Sequence, residues 1–179
     1  MITDAMIEEL KRQCQDEEAQ GDAFRRMTQE KMTEQIRTRF HDPERAMMTQ
    51  IEEAWKQVPK KEQDQETNRH IYALFVELAS MLSGHFMREE TEVFPLAQEA
   101  STGDTRLLTA QMELEHGEAE KKIQEITETA NFFIPDSKNS GELNAFLKGL
   151  SELFAHIRKH VTVENDILFP EMSANFQDT

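Results

Sequence analysis

His85-Phe86-Met87-Arg88-Glu89-Glu90-Thr91-Glu92-Val93-Phe94-Pro95 is echoed 75 residues later by His160-Val161-Thr162-Val163-Glu164-Asn165-Asp166-Ile167-Leu168-Phe169-Pro170. His, Glu, Phe and Pro occupy the same four offsets in both. A further histidine precedes each copy by 44 residues, His41 ahead of His85 and His116 ahead of His160. The set His41, His85, Glu89 therefore maps onto His116, His160, Glu164 by one constant shift. A repeat of that length predicts two similar helical hairpins related by an approximate two-fold axis.

Working outward from the first copy, Ile71, Leu74, Phe75, Leu78, Met81 and Leu82 recur at three- and four-residue intervals. They predict a helix from about Asn68 to Glu92 whose apolar stripe runs on into His85 and Glu89. The second copy ends a helix of the same kind, with Ser140 as candidate cap and Leu143, Phe146, Leu147, Leu150, Phe154 and Ile157 on its stripe to about Asn165. Between them, Leu108, Met112, His116, Ala119, Ile123 and Ile126 mark a helix to about Ala130, opened by a turn and cap in residues 101–104. Ahead of all three, Met32, Ile36, Phe40, Met47, Ile51 and Trp55 share a stripe interrupted at His41-Asp42-Pro43. Pro43 has no amide hydrogen, so either Asp42 caps a new helix there or one long helix kinks. Four long amphipathic helices with short connections predict an all-α, up-down-up-down four-helix bundle over residues 28–179. Residues 1–27 read as an N-terminal helical extension, with Ile7, Leu10 and Cys14 on one side of a helix over 4–20 and Gly21 as its stop.

Composition narrows the function classes. Glu, Lys, Gln, Met and Leu abound, valine and tyrosine are scarce, and this favours helix over strand. A formal net charge of -15 in 179 residues disfavours nucleic acid and anionic membranes as partners. No apolar run approaches the roughly 18 residues needed to span a bilayer, and the N-terminus lacks the pattern of a signal peptide. A cytoplasmic protein is expected. The single Cys14 rules out an internal disulfide.

Residues four apart on a helix point nearly the same way, so His85 with Glu89, and His160 with Glu164, face inward one turn apart. A carboxylate taken out of water without a partner costs several kcal/mol, and two facing each other across a core repel. A pair of cations removes both difficulties. Imidazole and carboxylate donors suit iron, manganese or zinc, and two bridging carboxylates with two histidines per metal leave a position open for a small ligand or an oxo bridge. The bland alternative is a metal-free interaction bundle in which the histidines are hydrogen-bonded core residues. Six ligand-type residues on four predicted helices in one repeating arrangement favour the dinuclear centre.

Taken together, His85 through Phe94-Pro95, His160 through Phe169-Pro170, Glu115-His116 and Arg39-Phe40-His41-Asp42 resemble the hemerythrin-like domain over roughly residues 28–172. Within it they look most like the Repair of Iron Centres family. That resemblance implies metal ligands at His41, His85, Glu89, His116, His160 and Glu164, the two glutamates bridging two iron ions in an oxo- or hydroxo-bridged centre. It also implies a nitrosative or oxidative stress protein that binds or reduces nitric oxide, oxygen or peroxide and supplies iron to iron-sulfur proteins. The alternative is a module that binds or senses oxygen or nitric oxide reversibly, and the sequence does not decide whether the chain is an enzyme. Oxygen-carrying hemerythrins have five histidines and an aspartate five residues after the last. Here Glu164 follows His160 by four residues, and the third helix offers His116 with Glu120. Repair-family proteins usually carry an N-terminal domain with adjacent cysteines, whereas this chain has Cys14 in a different context.

Four neighbours remain open at this stage. His156, one turn before His160, reads either as a hydrogen-bonding partner of the site and proton relay or as a solvent-facing histidine. His70 lies 15 residues, roughly 22 Å, before His85 and reads as structural. Glu115 either assists proton movement or is a surface glutamate, and Glu120 has no counterpart in the first hairpin.

Overall fold

Apolar stripes on four helices have to be buried against one another, and in the computed structural model they are. It describes residues 21–98 and 103–174. The first bundle helix is α1 (Gln29–Ile36) continued through a π turn (Arg37–His41) into α2 (Asp42–Gln57). A short α3 (Lys60–Gln63) leads to α4 (Glu66–Arg88), which ends in a second π turn (Glu89–Val93) and a 3-10 turn (Phe94–Gln98). The third bundle helix is α5 (Gly103–Thr129). The fourth is α6 (Gly141–Val163), followed by a third π turn (Glu164–Leu168) and α7 (Phe169–Ala174). Thr28 caps α1 through Lys31 N–H, and Ser140 caps α6 through Leu143 N–H, as its sequence position predicts.

The expected up-down-up-down order is observed: α2 and α5 run away from the histidines while α4 and α6 run towards them. α2 packs on α6 and α4 on α5. Gly149 lets the first pair approach closely, since a Cβ there would stand 3.1 Å from the Ile51 side chain. Two apolar clusters fill the interior. The larger, including Ile51, Trp55, Phe75, Leu78, Ile123, Phe146, Leu150 and Phe154, fills the end remote from the histidines. The smaller, including Phe24, Ile36, Phe40, Val93, Met112, Leu168 and Phe169, closes the other end. The polar residues of the repeat form a layer between them.

Each π turn has a proline behind it. The amides of Asp42, Phe94 and Phe169 donate five residues back, to the carbonyls of Arg37, Glu89 and Glu164, and the next residue is Pro43, Pro95 or Pro170. A proline has no N–H for the preceding turn and its ring crowds the carbonyl four residues earlier, so a widened turn lets the helix continue. The first helix thus neither restarts at Asp42 nor breaks. His41 keeps helical φ and ψ of -57° and -51°.

One boundary differs from expectation. Gly21 is itself helical: residues 21–25 are helical and the turn follows Arg25. Helix propensity around it outweighs one glycine, which costs only about 1 kcal/mol. The α5–α6 connection opens with three left-handed residues, Asn131, Phe132 and Phe133 (φ 49°, 57° and 57°). The helix expected over 4–20, Cys14, and residues 101–102 of the expected turn lie outside the described residues. Among the described residues no helix is long and apolar enough to cross a membrane.

Candidate metal centre

The one-turn spacing on α4 and α6 delivers His85 with Glu89 and His160 with Glu164 to the same layer. His41, at the end of the first π turn, and His116, in α5, complete it. All six are buried, none more than 6% exposed. Their donor atoms fall into two overlapping groups, His41, Glu89, His160, Glu164 and His85, Glu89, His116, Glu164, each with its atoms within 4.8 Å of one another. Both glutamates belong to both groups. Glu89 turns Oε2 to His41 Nε2 (3.2 Å) and Oε1 to His85 Nε2 (3.3 Å). Glu164 turns Oε1 to His160 Nε2 (3.0 Å) and Oε2 to His116 Nε2 (3.2 Å). His85 and His116 bring their Nε2 atoms to 2.9 Å. Donors about 2.1 Å from a shared cation and at right angles around it stand about 3 Å apart, so these separations are those of adjacent ligands.

The electrostatics of the layer are extreme. Nε2 of His41 and His160 and both oxygens of Glu89 and Glu164 are buried without a hydrogen-bond partner among the described residues. In the metal-free chain, protons have to supply the missing positive charge. Burial pushes the Glu164 carboxyl up, but the imidazoles of His160 and His116 override it and hold the carboxyl well below its usual range. Burial likewise pushes the His160 imidazole down, and the carboxylates of Glu164 and Glu44 carry it well above its usual range. His116 is raised in the same way, against its own burial, chiefly by Glu164. Divalent or trivalent cations fit the place these protons occupy.

Behind each imidazole stands an acceptor that fixes its tautomer. His41 Nδ1–H donates to Glu90 (2.8 Å), His85 to Glu115 (2.9 Å), His116 to Asn165 (2.8 Å) and His160 to Glu44 (3.0 Å). With the proton on Nδ1, every Nε2 presents its lone pair to the layer. Arg45 supports Glu90 at 2.9 Å, and Arg88 closes on Glu115. Glu44, itself fully buried, reaches His156 with its second oxygen at 2.8 Å.

Sequence reasoning missed Glu44, Glu90 and Asn165. The repeat contained a signal for two of them: Glu90 and Asn165 each follow the repeated glutamate by one residue and correspond under the same shift. Glu44 had none, since its counterpart is Ala119. Glu115 is the partner of His85 rather than a surface residue. His156 partners Glu44, whereas Glu120 pairs with Arg158 on the outside and half-exposed His70 lies 3.9 Å from Glu125. A cavity of about 150 Å³, walled by Leu82, Phe86, Ala119, Ile157 and Val161, reaches His85, His116 and His160, with Arg88 and Glu115 also on its lining.

A four-helix bundle with a buried His/Glu layer defines a class of cation-binding helical proteins, and the sequence comparison identifies which one. The chain belongs to the hemerythrin HHE cation binding domain family, whose profile matches residues 35–172. It is similar to the iron-sulfur cluster repair protein YtfE of Pectobacterium atrosepticum, 26% identical over 133 residues covering 74% of this chain and 60% of the relative. The YtfE proteins of Escherichia coli O81 and Escherichia fergusonii are 27% and 26% identical over 140 residues, 78% of this chain and 64% of theirs. The chain thus spans less than two thirds of the length of these curated relatives.

Proposed function

We propose that this chain is a non-haem di-iron protein of the nitrosative and oxidative stress response that binds or reduces nitric oxide or oxygen species and supplies iron for iron-sulfur cluster repair. One observation carries the reading: six buried imidazole and carboxylate groups aim donor atoms at each other while most of those atoms lack hydrogen bonds. In this reading His41 and His160 would hold one iron and His85 and His116 the other, with Glu89 and Glu164 shared between them.

When bound, an iron pair supplies reversible electron transfer and coordination positions for a small ligand. The chain's own residues prepare the place. Glu90, Glu115, Asn165 and Glu44 hold the four imidazoles in the metal-binding tautomer, and Phe86, Leu82 and Ile157 keep water from crowding the cavity wall. That cavity suits a diatomic molecule better than a larger substrate. The repair role is supported by the names of the YtfE relatives, and iron-sulfur proteins are the partners it implies. Residues 28–179 constitute the bundle and 1–27 an extension to it, in a cytoplasmic protein.

Anaerobic loading with ferrous iron tests the reading: two irons per chain are expected by elemental analysis, and with an added chemical reductant supplying two electrons per turnover and water supplying the protons, nitric oxide or peroxide should then be reduced catalytically. An adduct that forms and dissociates unchanged would instead make the chain a carrier or sensor. A folded chain that retains no metal would overturn both.

A further inference from the structure

We infer, resting on the dinuclear reading above, that the two metal positions are unequal: the one between His41 and His160 fills first and holds its cation, and the one between His85 and His116 is exchangeable. The repeat by itself predicts equivalence. Its breakdown lies behind the imidazoles. His41 and His160 both donate Nδ1–H to carboxylates, Glu90 and Glu44. On the other side His85 donates to the Glu115 carboxylate, but His116 donates to the neutral amide oxygen of Asn165. Asn165 stands where the repeat places Glu90 in the first half.

Compensating charges deepen the difference. Arg45 meets Glu90 and Arg88 meets Glu115, whereas among the described residues Glu44 is met by imidazoles alone. The first position thus has two carboxylates and one arginine behind it, and the second has one of each. A carboxylate accepting from Nδ1 makes the imidazole a stronger donor, and such partners set metal affinity within roughly 10–100-fold.

Access is unequal too. His41 lies under the Phe86 and Phe94 rings, at 4.5 and 5.6 Å between centroids, and His160 stacks on Phe40 at 5.0 Å. The 150 Å³ cavity reaches His160 as well as His85 and His116, but His116, with Asn165, also lines a wider cleft of about 510 Å³ that neither His41 nor His160 lines. A chelator or an acceptor of the metal meets the His85/His116 position first.

Zinc(II) is the probe, because it is redox-inert and accepts nitrogen and oxygen donors. Metal-stripped full-length chain crystallised with one equivalent of zinc should show its anomalous peak between His41 and His160. A calorimetric titration should resolve two steps separated by roughly 10–100-fold, and Asn165→Asp should narrow that gap by about tenfold. The substitution is isosteric at a half-buried side chain, and circular dichroism verifies the fold. Equal peaks at one equivalent, a peak between His85 and His116, or an unchanged gap in Asn165→Asp would each overturn the inequality while leaving the dinuclear reading standing. A folded chain that takes up no zinc would overturn the dinuclear reading and this inference with it.

Discussion

Glu44 on α2 and His160 on α6, 116 residues apart, meet at 3.0 Å inside the bundle, and the other oxygen of Glu44 holds His156 at 2.8 Å. One fully buried carboxylate thereby ties the first bundle helix to the fourth and orients a histidine of the polar layer. Burial pushes the Glu44 carboxyl up, but His160 and His156 override it and the group stays ionised. Charge, tautomer and helix packing are set by the same contact.

Replacing Glu44 should therefore cost the fold before any metal is added. Glu44→Ala leaves two imidazole N–H groups without their acceptor, and breaking a buried pair from one side costs about 3 kcal/mol or more. Glu44→Gln keeps an acceptor and should lose less. Urea unfolding of the metal-free variants measures both, and an alanine variant within about 1 kcal/mol of the parent would show that the contact carries no structural weight.

The glutamates and histidines of the layer should fail differently. Each glutamate offers one oxygen to each group, whereas each histidine serves one. Glu89→Ala or Glu164→Ala should thus lose both metals together, and His85→Ala should lose mainly one. Metal-to-protein ratios after desalting separate the two patterns, and a glutamate variant retaining one full equivalent would contradict the bridging arrangement.

The pH dependence has a definite sign. In the metal-free chain His160 and His116 are raised above their ordinary value of 6.5, so their stabilising charge is complete below about pH 6.5 and is lost as pH rises through the raised values. Glu164 is held below its ordinary 4.5, so its contribution is present above about pH 4.5 and is lost as pH falls through the lowered value. The metal-free protein should be most stable between about pH 5 and 6.5 and weaken towards pH 9. With zinc bound, cations replace the protons, so the alkaline decline should vanish while acid releases the metal. Thermal midpoints at pH 5.5, 7 and 9 with and without zinc report this directly. A metal-free midpoint that rises towards pH 9 would contradict it.

The layer was legible in the sequence because helical spacing aligns His85 with Glu89 and His160 with Glu164, and because one shift relates all six residues. The bundle followed from the stripes ending in them. The π turns were not legible as such: proline marks a disturbance at Pro43, but whether a helix caps, kinks or widens there depends on the packing of Phe40 and His41. Glu44 was hidden for a different reason. Its partner lies on another helix 116 residues away, and neither its spacing nor the repeat distinguishes it from the many surface glutamates.

Ala119, three residues after His116, forms part of the wall shared by the 150 Å³ cavity and the wider cleft. A leucine there fills much of the smaller space and adds no charged or metal-binding group. Overpacking costs about 1–3 kcal/mol, which circular dichroism at moderate temperature should tolerate. If the cavity is the route by which small ligands reach the layer, Ala119→Leu should slow both association and dissociation of azide or nitric oxide on the iron-loaded chain by about tenfold, a barrier increase of about 1.4 kcal/mol. Metal content and the adduct spectrum should stay as in the parent, because the coordination position itself is untouched. Stopped-flow spectroscopy separates the cases: rates that fall together with unchanged affinity mark a blocked path, whereas unaltered rates would place the entry route elsewhere in the bundle.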